Sequence, residues 1–87
     1  MKIKDPVDEI LVILMEECAE VQKVASKMLR FGVTNEKLQE LEAELGDLTQ
    51  MIDLLHKFDM VSYTNIEEHS QAKYQKLKKF SNIIIED

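Results

Sequence analysis

Two stretches of this 87-residue chain repeat apolar residues at alternating steps of three and four, and only one proline and two glycines punctuate the whole sequence. The first stretch passes through Ile10, Leu14, Val21, Val24 and Met28; the second through Leu38, Leu41, Leu45, Leu48, Ile52 and Leu55. That spacing holds an apolar stripe on one side of an α-helix, two positions per heptad, as in helices packed lengthwise. Turn-dense β folds and glycine-rich phosphate loops both need far more glycine and proline than this. The fold class implied is all-α.

Helix ends can be read from capping chemistry. Asp5 before Pro6 offers a side-chain acceptor to free N–H groups, and proline tolerates the first helical position. The first helix is therefore predicted over 6–31, with Gly32 free to take the left-handed C-terminal conformation. Thr34 or Asn35 opens a second helix over 35–58. Residues 59–63 read as a break, and Thr64 with Glu67 three residues on reads as a capping box opening a third helix over 65–80. No linker composition divides residues 1–87, which are expected to form one domain.

A chain of this length buries only about two-thirds of its unfolded surface, so its core is thin. Ile83, Ile84 and Ile85 form an apolar tail that should cover something. The architecture expected is a helical bundle with three helices per chain and a four-helix-bundle core completed by oligomerisation.

Eleven Lys and Arg against seventeen Asp and Glu give a net charge of −6. A nucleic-acid polymer or an anionic membrane surface needs a basic face, so neither is an expected partner. Neither a membrane span nor a signal peptide is legible, and a cytoplasmic location is expected. The single Cys18 forms no intrachain disulfide, and no zinc-ligand spacing is present.

The chemistry-bearing residues are carboxylates. Glu17 stands where the first apolar stripe calls for a hydrophobic residue, and Glu20 lies one turn from both Glu16 and Glu17. On the second helix Glu44 and Asp47 are three apart, with Gly46 between them leaving room for another helix or a ligand. Five like charges at a helix boundary repel, and removing them from water costs further free energy. At least one of these carboxyls should therefore sit above its ordinary pKa. Mg²⁺ suits such a site, since it prefers carboxylate oxygens and commonly meets a protein through a few of them plus substrate phosphates. Mn²⁺ is the natural substitute. A di-iron centre is disfavoured because neither helix supplies a Glu-x-x-His pair.

At these residues the sequence resembles the MazG-like all-α nucleotide pyrophosphohydrolases. The resemblance is carried by EExxE (Glu16, Glu17, Glu20) and ExxD (Glu44, Asp47), in the setting LMEECAEVQKVASKMLRFG, LEAELGDLTQMIDLL and the Lys-rich AKYQKLKKF. It covers about residues 9 to 80 and looks like the short phage-type and bacterial members, which for a phage protein places it in the host cytoplasm. It implies Mg²⁺-dependent cleavage of a nucleoside triphosphate between the α- and β-phosphates, giving monophosphate and pyrophosphate. It also implies a homo-oligomer, dimer or tetramer. The five carboxylates would hold metal, and Glu16 or Glu17 would handle the attacking water. Lys27 and Arg30, two turns beyond Glu20, and Lys73 and Lys76 on the third helix are the candidate phosphate-binding cations. Two other readings stand beside this one: a phosphoribosyl-ATP pyrophosphatase, and a non-catalytic helical oligomerisation module.

Overall fold

The computed structural model describes residues 5–84, which form three α-helices: α1 (Pro6–Phe31), α2 (Asn35–Lys57) and α3 (Tyr63–Phe80). Asp5 caps α1 by accepting the Asp8 N–H at 2.9 Å, and Pro6 takes the first helical position. At the other end Gly32 adopts φ 99°, a value that favours glycine, and its N–H closes on the Met28 carbonyl at 3.0 Å. Only residues 32–34 separate α1 from α2, and Thr34 caps α2 by accepting the Lys37 N–H at 3.2 Å. So short a connection folds the two helices back on each other.

The result is an antiparallel hairpin. Ile10, near the start of α1, packs with Met51 and Leu55 near the end of α2, joined by Ile13, Leu14, Leu54 and Val61. Among the described residues the buried side chains are Ile10, Val24, Met51 and Leu55, and none is sealed completely. On α1 the stripe is as read: Leu14, Glu17, Val21 and Met28 are half-buried between the buried Ile10 and Val24. On α2 the stripe divides. Leu55 faces α1 together with Met51, which the stripe as read did not include, whereas Leu38 and Leu45 are each 42% exposed. The expected seam is therefore wider than one partner helix can cover.

The third helix differs from its expected start. Ser62, not Thr64, is the cap and accepts the Asn65 N–H at 3.3 Å, so the helix begins at Tyr63. The Thr64–Glu67 capping box does not form, because both residues already lie inside the helix. The turn before it includes Asp59 at φ 60°, a left-handed conformation that aspartate tolerates better than most residues. Tyr63 donates its hydroxyl hydrogen bond to Asp53 Oδ1 and sets its ring 4.5 Å from that of His56, which ties the foot of α3 to the end of α2. Beyond that clasp α3 packs loosely and buries no residue. Ile83, expected to cover an apolar surface, is 75% exposed; Ile84 is half-buried, and Ile85 lies outside the described residues.

The radius of gyration is 15.8 Å, against about 12 Å for a compact domain of this length. Leu55→Ala should lower stability by about 2–5 kcal/mol, since Leu55 sits in the sparse core. Phe80→Ala, at a 77% exposed position, should change it by no more than about 0.5 kcal/mol. Urea unfolding of both variants tests the assignment, which equal losses would contradict.

Candidate functional site

Helix periodicity brings three carboxylates together. Glu17 follows Ile10 by seven residues, so it shares the α1 stripe that faces α2. Glu44 precedes Met51 by seven and so faces α1, and Asp47 lies one turn further along α2. The antiparallel pairing sets these positions opposite one another: one carboxylate oxygen from each of Glu17, Glu44 and Asp47 lies within 4.8 Å of the other two. Glu17 and Glu44 are half-buried and Asp47 is exposed, so the cluster opens to solvent on the Asp47 side.

Glu17 is the strained member. Its Oε2 is shielded from solvent and has no hydrogen-bond partner. Loss of hydration, followed by repulsion from Asp47, Glu44, Glu20 and Glu16 in that order, holds its carboxyl above the ordinary value of 4.5. Among the described residues no lysine or arginine pairs with the three; the ion pair between Lys37 and Glu40, at 3.6 Å, lies elsewhere on α2. Three converging acceptors with no donor among them match the donor set that a hard divalent cation takes.

The remaining candidates sit around this trio or away from it. Glu16, adjacent to Glu17, and Glu20, one turn on, are exposed on α1, close enough to act on Glu17 but outside the three-oxygen cluster. Lys27 is half-buried on α1, and Arg30 is exposed in its last turn with its guanidinium 5.0 Å from the Phe31 ring centre. Lys73 and Lys76 are exposed on α3, a helix with no buried residue. Among the described residues no other helix of the chain approaches Gly46. Two residues past Glu44 it is turned about 200° round the helix, and a methyl group there would meet nothing within 4 Å.

The Asp53–Tyr63–His56 contact was not legible from the sequence. Its only signal was the i, i+3 spacing of Asp53 and His56 ahead of a turn, which many helix ends share. No family model, curated protein or solved structure matches the chain.

A carboxyl whose folded pKa is raised binds its proton more tightly in the native state. Its contribution is full below the unfolded value and is lost as pH rises through the folded value. Glu17→Gln in a chelator should therefore melt higher than the parent at neutral pH, and the advantage should vanish as pH falls below the ordinary value of 4.5. Parallel thermal melts across pH measure this, and a pH-independent loss of stability would remove the strain from Glu17.

Proposed function

We propose that this protein is a Mg²⁺-dependent nucleoside triphosphate pyrophosphohydrolase that releases monophosphate and pyrophosphate. The observation that carries the reading is the water-shielded, unpartnered Glu17 oxygen beside the Glu44 and Asp47 carboxylates. The likeness of the two acidic motifs to those of MazG-like enzymes adds the substrate class.

Glu17, Glu44 and Asp47 hold the metal, with Glu20 at the margin. Bound there, Mg²⁺ supplies charge neutralisation for the polyphosphate and polarisation of its α-phosphoryl group. Glu16, exposed beside the trio and outside it, is free to orient the attacking water and accept its proton. The water oxygen bonds to the α-phosphorus as the bond to the β-phosphate bridging oxygen breaks, and pyrophosphate leaves. Lys27 and Arg30 on α1 bind phosphate oxygens, and Arg30 presents a planar pair of donors. In this reading Lys73 and Lys76 reach the substrate from α3 of a second copy, and the working form is a homo-oligomer.

Asp47→Asn keeps the shape of the side chain and removes one of the clustered charges. It should lower kcat/KM for pyrophosphate release by at least about 100-fold and should also melt above wild type in EDTA. Added Mg²⁺ should raise the wild-type Tm more than that of the variant, since binding to the native state stabilises it by mass action. Calorimetric titration showing no Mg²⁺ binding would favour the structural module. A release assay over canonical and modified nucleotides and phosphoribosyl-ATP separates the two enzymatic readings.

Arg30→Ala should raise KM roughly tenfold with little change in Tm, because an exposed cation contributes little to folding. Unchanged kinetics would take Arg30 out of the site.

A further inference from the structure

α3 is joined to the hairpin at its foot. Among the described residues α1 and α2 are the one pair of helices in lengthwise contact, and α3 buries no side chain. Tyr63 holds its first turn, through the Asp53 hydrogen bond and the His56 ring 4.5 Å away. Val61, two residues earlier, packs against the hairpin core. Ser62 lies between these anchors in extended backbone, at φ −120° and ψ 131°, and is the joint about which α3 can swing.

The clasp also fixes the side of α2 on which the foot stands. His56 follows Leu45 by 11 residues and Leu38 by 18, about three and five turns, so the three share one side of the helix. Beyond the clasp that side is bare. Leu38 and Leu45 are each 42% exposed, and with Leu41 and Glu42 they line a hollow of about 430 Å³. α3 carries a matching stripe. Ile66, Tyr74 and Leu77 follow Tyr63 by 3, 11 and 14 residues, so the side of α3 that meets α2 at the foot continues apolar along its length.

Levels and charge match along this line. Turned back beside α2 from the Tyr63–His56 pair, α3 sets Tyr74 level with Leu45, each 11 residues from the pair. Leu77 then falls level with Glu42, and Ser81 with Leu38, by the same count of 14 and 18. Residues 69–80 carry four lysines and no acid, whereas residues 36–47 carry five acids and one lysine. Antiparallel packing brings these oppositely charged segments together. There is also surface to remove: the chain exposes 7100 Å², against about 5,300 Å² for a compact monomer of this mass.

We infer that α3 is a hinged strap, which swings at Ser62 to lie antiparallel along the Leu38–Leu45 side of α2 and closes the hairpin into a three-helix bundle. The open and closed forms are two populations of one chain, and whatever covers α3 or α2 shifts their balance. Asp47 stands two residues from Leu45, about 200° round α2. The closed strap therefore leaves the carboxylate trio open and holds Lys73 and Lys76 on the far side of α2. Under the catalytic reading, closure withholds those lysines from a second copy; the packing itself does not depend on that reading.

A cross-link within one chain tests the closed form. In a Cys18→Ser background, Leu38→Cys with Ser81→Cys should react with a short bis-maleimide to join both thiols in one molecule. The product should run at the single-chain mass on a denaturing gel, with one linker and no free thiol by mass spectrometry. Leu77→Glu lies in a helix that buries nothing, so the hairpin still folds. It should lower the cross-linked yield at least about tenfold, because it puts an unpaired carboxylate into an apolar seam beside Glu42. Asp47→Asn should cross-link like its parent, which separates this result from a failure of the catalytic reading. A product at twice the chain mass would assign the face to a second copy and overturn the strap. Absence of any cross-link, or a yield that ignores Leu77→Glu, would overturn it as well.

Discussion

Everything in this molecule depends on the lengthwise contact between α1 and α2. Among the described residues it is the one interface that buries side chains on both partners, through Ile10, Met51 and Leu55. It also sets which residues share a level across the hairpin. A register shift of one turn, about 5.4 Å, would carry Glu17 away from Glu44 and Asp47 while still burying apolar groups. The three-residue connection at 32–34 and the Gly32 and Thr34 caps oppose such a shift, since they fix where one helix ends and the next begins. Local capping chemistry thus holds the carboxylates in place.

The same contact explains why the site is strained. An apolar side chain at position 17 would extend the core by another layer. Glutamate there instead places an unpartnered oxygen among like charges, in a chain with little core to offset it. Such strain is what a site for a cation requires, because carboxylates already satisfied by lysines have little to gain from a metal. Glu17 thus adds charge to the trio and withholds one apolar layer from a core that chain length already keeps thin.

α3 is a different kind of element. Its caps and helix formers make it helical without making it part of the core, and the Tyr63–Asp53 clasp with the His56 ring secures only its first turn. Lys73 and Lys76 are exposed on it, and among the described residues neither forms an ion pair with Glu17, Glu44 or Asp47. The hairpin itself keeps apolar side chains in water, with Leu11, Met15, Leu38 and Leu45 each at least 39% exposed.

The all-α class, the extents of α1 and α2 and the intrusion of Glu17 into an apolar stripe were determined by sequence alone, since each follows from spacing along one helix and the chemistry of its ends. That the two acidic motifs meet at one helix boundary was legible, but not that Glu17, Glu44 and Asp47 are the three of five carboxylates that converge, because only the antiparallel register sets distances between helices. Tertiary structure likewise decided that Gly46 faces open space and that Leu38 and Leu45 are left uncovered, because a two-per-heptad stripe shows that a helix has an apolar side without saying how much of it one neighbour can reach. The start of α3 was misread for a local reason, as Ser62 and Thr64 are both good caps and the turn through Asp59 selected the earlier one.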